Sequence, residues 1–283
     1  MIPRILHYCW FGGEKSALVK ECMASWPKAF PQNAWTIMEW NETNCDLSCN
    51  EFVKGAVKLK NWAFVSDWVR LKVLYEYGGV YLDTDVEVYK SFEDLLLLNG
   101  FLGCRVDSTA ATAILGFEPH NPFVAALIGL YEGAVWVDEK TFLIEIKLPN
   151  GEKHVCGSNN DVFTKLLSFR YRDLRLDGRL NRTDDFLMFP KEEFEIGRII
   201  GRGHCVHRCS GSWFPYNSKR ESKKAILGIA KRIPIIHGDA LLRRISHIDF
   251  LVKAKGAISG APERSCRGDA APCQSGRKRK RCG

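Results

Sequence analysis

Apolar positions recur through the chain in short blocks whose period shifts between that of a strand and that of a helix. Ile2 to Trp10 is almost continuously apolar and is closed by Gly12-Gly13, which predicts a buried first strand. Ser16 then stands where a helix cap belongs, ahead of Leu18, Val19, Cys22, Met23 and Trp26 at helical spacing. Pro27 and Pro31 mark a loop. Trp35 to Trp40 predicts a second strand, followed by the polar Asn41-Glu42-Thr43-Asn44. Phe52 to Leu59 reads as a short helix leading into a longer one over Trp62–Tyr77. In the longer helix Phe64, Trp68, Leu71 and Tyr75 fall on one face, and Asp67 and Arg70, three apart, are neighbours on its surface. Gly78-Gly79 ends it, because glycine tolerates the left-handed backbone a helix terminus often needs. The pattern then switches to period two. Val80, Leu82, Val86 and Val88 fall on one face of a strand; Asp83, Asp85 and Glu87 fall on the other.

Downstream, Phe92–Leu98 reads as a short helix and Asn99-Gly100 as a turn. Phe101–Val106 and Thr112–Phe117 read as strands. Asn121-Pro122 starts a helix through about Tyr131. Trp136 to Leu148 reads as strand and loop, and Ser158-Asn159-Asn160-Asp161 as the polar start of a helix ending near Phe169. A strand–helix–strand opening fits a nucleotide-binding α/β half, although G-x-G-x-x-G is absent.

Charge divides the chain. Residues 1–218 carry 24 Lys/Arg against 28 Asp/Glu, a balance of −4, whereas residues 219–283 carry 17 against 5, a balance of +12. The organisation expected is a catalytic-type body over 1–217, a basic helical extension over 218–255 and a basic disordered tail over 256–283. In the extension Ile226, Ile229, Ile233, Leu241, Ile245 and Ile248 recur at helical spacing among Lys and Arg. An anionic membrane surface is the partner this predicts, with nucleic acid not expected despite the terminal RKRKR. The same pattern equally fits helices packed on the body. No apolar run approaches the roughly 18 residues a membrane span needs, and MIPRILHYCWFGG does not read as a signal peptide. The 11 cysteines are scattered and form no C-x-x-C pair. They point to reduced thiols and a cytoplasmic setting, and the basic tail to a peripheral place on the inner face of a membrane.

The chemistry concentrates in Asp83-Thr84-Asp85. Two carboxylates pointing the same way repel unless one is protonated or a cation lies between them. Hard divalent ions, Mg²⁺ or Mn²⁺, bridge such carboxylates to phosphate oxygens. A bare D-x-D is common and is usually a solvated strand end. The preceding helix, the glycine pair and the apolar strand make this one far more specific.

The stretch S-D-W-V-R-L-K-V-L-Y-E-Y-G-G-V-Y-L-D-T-D-V resembles the signature of glycosyltransferase family 32. That family includes Golgi mannosyltransferases and capsular polysaccharide glycosyltransferases. The resemblance is densest at 2–13, 64–89 and 206–213. It implies an α/β, GT-A type nucleotide-sugar-binding domain with a mixed central sheet. It further implies transfer, with retention, from a nucleotide-diphosphate sugar to a glycan or lipid-linked acceptor. Asp83 and Asp85 would hold Mn²⁺ or Mg²⁺, and Asp67 and Arg70 would grip the donor sugar. Tyr8, Cys9 and Trp10 would lie beside the nucleotide base, with Gly12 and Gly13 allowing close backbone approach; Trp10 as a plain core residue is an equal alternative. Near the end of the body the family carries I-H-H-W-A-G-S-W. Here Val206-His207 and Gly211-Ser212-Trp213 match, and Arg208 and Cys209 replace the usual His and Trp. On that match His207 is a third metal ligand, and Ser212 and Trp213 contact diphosphate or sugar.

Two other readings stand beside this one. A D-x-D phosphohydrolase would want Thr or Val where Glu87 stands, and its motif at the end of the first strand. A non-catalytic sugar-nucleotide or polyanion-binding module would not need both acids.

Overall fold

The computed structural model describes residues 1–105, 107–196 and 203–209. In chain order the elements are β1 (Ile5–Cys9), α1 (Ala17–Met23), α2 (Trp26–Ala29), β2 (Thr36–Trp40), α3 (Glu51–Lys58), α4 (Trp62–Tyr77), β3 (Gly79–Leu82) and β4 (Val86–Val88). A 3₁₀ turn at Glu93–Leu95 leads to β5 (Gly100–Cys104), β6 (Ala110–Phe117), α5 (Pro122–Glu132), β7 (Val135–Asp138), β8 (Leu143–Lys147), β9 (Lys153–Cys156) and α6 (Asn159–Arg170). The last are β10 (Asn181–Arg182), β11 (Leu187–Phe189), α7 (Lys191–Phe194) and β12 (Cys205–His207).

The expected α/β class with a mixed central sheet is what forms. Seven strands lie in the order β10-β11-β5-β6-β3-β1-β2. β1 pairs in parallel with β2 and β3, and β11 in parallel with β5, whereas β6 runs antiparallel to both β3 and β5. Five strands therefore point one way. From β1 the chain moves through α1 and α2 to β2 on one side, then through α3 and α4 to β3 on the other. This reversal of direction leaves a crevice beyond the carboxyl ends of β1 and β3, the place where open α/β sheets bind ligands.

Alternation distributes the strand residues between two cores. Leu6, Tyr8, Val80, Leu82, Phe101 and Ile114 pack with Trp26, Phe30 and Phe92 on one face. Cys9, Tyr81, Leu102, Leu115 and Phe117 pack with α3, α4, α5 and α6 on the other. β3 is covered on both faces, so all four of its residues are buried. Caps anchor the helices as their sequences predict: Ser16, Asn50, Asn121 and Ser158 each accept a backbone N–H of the first turn.

Three expectations are corrected. The strand over 80–88 is two strands in different sheets. Asp83 donates its backbone N–H to Ala113 O at 2.8 Å as the last rung on β6, and Val86 N–H then folds back onto Asp83 O at 3.1 Å. Asp83-Thr84-Asp85 is thus a turn, and β4 pairs with β12 in a separate two-stranded sheet. The α4 helix is not one-faced: it lies between sheet and helices and buries Val65, Asp67, Val69, Arg70 and Val73 together with the predicted face. Phe92–Leu98 forms only the short 3₁₀ turn. The expected extension, the tail and the Ser212-Trp213 pair lie outside the described residues.

Candidate active site

The turn after β3 delivers two carboxylates to the crevice. Asp85 is buried and Asp83 about a quarter exposed. His207 reaches them from β12. Antiparallel pairing sets His207 opposite Val86, and Arg208 N–H donates to Asp85 O at 2.9 Å, so the imidazole sits beside the second acid. His207 Nε2 lies 3.3 Å from Asp85 Oδ1. One ligand atom each from Asp83, Asp85 and His207 falls within 4.8 Å of the others. Two carboxylates and an imidazole at that separation fit a Mn²⁺ or Mg²⁺ ion.

Beneath this set lies a buried charge network. The Arg70 guanidinium is turned inward. It pairs with Asp67 Oδ1 at 2.8 Å and Asp83 Oδ1 at 3.2 Å, and donates to Thr112 O at 2.7 Å and Ser66 O at 3.2 Å. It also stacks over the Tyr81 ring, 4.6 Å from its centroid, and Tyr81 Oη donates to Asp83 Oδ1 at 2.9 Å. The expected surface pair of Asp67 and Arg70 is therefore a buried three-residue bridge that fixes one acid of the turn. The reason lies in α4, whose polar side faces the end of the sheet.

The acids of this network shift one another. Burial, with Asp83 nearby, lifts the Asp67 carboxyl to about 7 against the pull of Arg70. Burial also raises Asp83, with Asp85 adding to the effect and Arg70 and His207 opposing it. At His207 burial is the largest influence and disfavours the proton, but Cys209, Asp85 and Glu195 together outweigh it and raise the ring well above its ordinary value. Carboxylates held this close repel one another, and a divalent cation between them would relieve that repulsion.

The loop after β1 flanks the same crevice. Gly12 has φ +83°, and a Cβ there would meet Trp62 Nε1 at 2.9 Å; a Cβ on Gly13 would meet nothing within 4 Å. The Trp10 indole is half-buried and donates to Gly13 O at 2.7 Å, with Lys15 Nζ 5.6 Å from its ring. Tyr8 and Cys9 do not line this loop. Tyr8 is buried and donates to Glu39 Oε2 at 2.5 Å. Cys9 points to the opposite face of β1, into the helix-side core, where burial pushes its thiol pKa up. Successive strand residues face opposite ways, so the two side chains lie on opposite faces of β1.

Several participants carried no sequence signal. Thr112, buried, links Arg70 through its carbonyl and donates its hydroxyl to Asn160 Oδ1 at 2.6 Å. Glu195, also buried, places Oε2 3.3 Å from His207 Nδ1. Neither belongs to a motif, and both arrive by long-range packing. Tyr81, not marked out as a candidate either, faces away from Val80 and Leu82 by strand alternation.

Residues 16–101 match the family model for the glycosyltransferase sugar-binding region containing the DXD motif. The chain is 32% identical over 82 residues to the alpha-1,4-N-acetylglucosaminyltransferase of Homo sapiens, covering 27% of this chain and 23% of that protein. It is 25% identical over 134 residues to inositol phosphoceramide mannosyltransferase 3 of Schizosaccharomyces pombe, covering 45% and 36%. The chain thus spans about a quarter to a third of the length of these curated relatives. Among solved structures it is similar to PaToxG Glycosyltransferase, at 17% identity and a TM-score of 0.43, over 60% of this chain and 70% of that one.

Proposed function

From the match of residues 16–101 to the glycosyltransferase sugar-binding region containing the DXD motif, we propose that the chain is a metal-dependent glycosyltransferase of the GT-A kind, using a nucleotide-diphosphate sugar. The observation that carries this reading is the convergence of Asp83, Asp85 and His207 at the β1–β3 crevice, beside the Gly12-Gly13 loop. When bound there, Mn²⁺ or Mg²⁺ supplies Lewis-acid neutralisation of the departing diphosphate.

The chain's own residues do the rest. Asp83, Asp85 and His207 hold the ion. Arg70 positions Asp67 and Asp83 and excludes water beneath them. Asp67, paired with Arg70 in that network, is the acid we assign to donor sugar hydroxyls. Gly12 and Gly13 let the nucleotide approach the backbone, and Trp10 flanks the base.

In the finer reading transfer proceeds with retention to a glycan or lipid-linked acceptor in capsular or surface polysaccharide synthesis. The +12 segment after residue 218 would keep the body near a cytoplasmic anionic membrane. No helix among the described residues is long and apolar enough to cross a membrane.

The test is thermal-shift screening of the full chain against a panel of nucleotide sugars with and without Mn²⁺, since a selective ligand raises apparent stability by mass action. A Mn²⁺-dependent shift with one donor class, together with release of free nucleotide diphosphate, supports the proposal. A metal-independent response to every nucleotide, with no release, refutes it.

A further inference from the structure

His207 is a member of two clusters. Its Nε2 faces Asp85, whereas its Nδ1 faces a second group formed with Glu195 and Cys209. Cys209 Sγ lies 3.5 Å from His207 Nδ1 and 3.7 Å from Glu195 Oε1, and Glu195 Oε2 lies 3.3 Å from His207 Nδ1. The left-handed backbone at Cys209, φ 49°, turns the chain back so that residues two apart can converge. These separations have a chemical meaning. A tetrahedral zinc ion, with bonds of about 2.3 Å to sulfur and about 2.1 Å to nitrogen and oxygen, sets its ligand atoms roughly 3.3–3.7 Å apart. One ligand atom each from Glu195, His207 and Cys209 lies within 4.8 Å of the others, the sulfur nearest Oε1 and the imidazole nearest Oε2, so rotation of the carboxylate would bring one oxygen to the third corner of that tetrahedron and leave the fourth open.

We propose that Glu195, His207 Nδ1 and Cys209 form a second metal site, selective for a thiophilic divalent ion of the Zn²⁺ class, which shares His207 with the Asp83–Asp85 site. Hard ions prefer the oxygen-rich side; the thiolate selects zinc for the other. Glu195 is buried, and Arg105 Nε approaches its Oε1 at 3.9 Å, so a cation already neighbours the carboxylate that would serve. Binding takes Cys209 as thiolate and the lone pair of Nδ1, releasing the protons those atoms carried. The remaining ring proton is then on Nε2, where it donates to Asp85. A zinc-loaded chain therefore loses its third ligand to Mn²⁺ or Mg²⁺, and zinc weakens binding of the hard ion. This consequence rests on the proposed function; the zinc site itself does not.

The experiment begins with the reduced wild-type full chain and needs no variant. Each cysteine's alkylation rate is followed by mass spectrometry with and without Zn²⁺. Cys209 labelling slows about ten-fold or more in zinc and is not slowed by Mn²⁺. An unchanged Cys209 rate, or equal protection by Mn²⁺, overturns the site. Protection confined to Cys45 and Cys49, both free and partly accessible, overturns it as well. Co²⁺ then serves as a spectroscopic substitute for zinc. Its thiolate charge-transfer absorption persists in Asp85→Asn and is lost in Cys209→Ser; an undiminished band in Cys209→Ser refutes the assignment. Sharing is tested by Mn²⁺ titration. Zinc weakens Mn²⁺ binding in the wild type and not in Cys209→Ser, and Mn²⁺ affinity that ignores zinc refutes the shared ligand. None of the labelling or absorption outcomes depends on sugar transfer, so failure of the zinc site and failure of the glycosyltransferase reading can be told apart.

Discussion

Two histidines of this molecule, one fully enclosed and one partly exposed, make opposite use of one side chain. His7, in β1, is fully enclosed. Its Nε2–H donates to Gly78 O at 2.8 Å, its Nδ1 accepts the Trp40 indole N–H at 3.1 Å, and the rings of Trp40 and Tyr77 flank it. Among the described residues no ion pair reaches it, and burial pushes its pKa down to about 4. His207, about a fifth exposed, stands between Asp85 and Glu195 with Cys209 alongside, and its pKa is raised. Burial opposes the charged form in both places. The number of acids within reach decides whether burial wins. The first histidine completes the core with both ring nitrogens satisfied. The second sits where charge has been gathered for a ligand.

The strongest way to break this contrast is to remove an acid beside His207. Asp85→Asn takes away a metal ligand and a partner of the ring. It should lower sugar transfer by more than about 100-fold, measured as nucleotide-diphosphate release, with Mn²⁺ affinity falling in parallel. Near-wild-type turnover would show that the acids around His207 serve only the fold.

Next in size is Arg70→Met. It leaves Asp67 and Asp83 without their shared cation, and breaking such a buried bridge costs about 3–5 kcal/mol. Denaturant unfolding should show that loss at pH 7 and a smaller one near pH 5, because Asp67 can then take a proton. An equal loss at both pH values would mean packing, not charge, holds the network.

Opposed pH slopes come third. The folded pKa of His7 is lowered from its ordinary 6.5 to about 4, so the unfolded chain binds more protons between those values. That contribution is present above pH 6.5 and is lost as pH falls, roughly 3 kcal/mol in all. Asp67 has the opposite sign. Its folded pKa is raised from 3.8 to about 7, so the folded chain binds more protons and stability is lost as pH rises through that window, by roughly 4 kcal/mol. The two offset in the wild type. His7→Gln should unmask stability that falls from pH 4 to 7, and Asp67→Asn stability that rises. Identical slopes in both variants would contradict the assignment.

The smallest effect belongs to Trp40→Phe. It removes the donor to His7 Nδ1 and should cost about 1–2 kcal/mol without changing Mn²⁺ affinity, since the cage and the acid cluster do not touch. A change in Mn²⁺ binding would join two regions that the geometry keeps apart.

Most elements of the first 170 residues were legible because their causes are local. The polar caps Ser16, Asn121 and Ser158 and the apolar strands announce themselves within a few residues. The D-x-D pair was legible too, since two acids two apart after an apolar run are a short-range pattern. The family resemblance also put His207 forward as a candidate, through its G-S-W context. What it could not contain was the surroundings. The Asp67–Arg70 pair read as a surface pair because helical spacing says nothing about what lies opposite, and α4 is buried over more than its predicted face. The split of 80–88 depends on a rung from Ala113 and on pairing with β12, over a hundred residues away. Glu195 and Thr112 have no motif; α7 and β6 carry them to the crevice. Local sequence set the elements and the reactive residue types, since propensity, capping and alternation act over a turn or a rung. Only the tertiary structure decided which acids are buried, which face His207 and on which side of its ring. Burial and charge proximity are properties of distance in space, and the chain sets that distance by its fold.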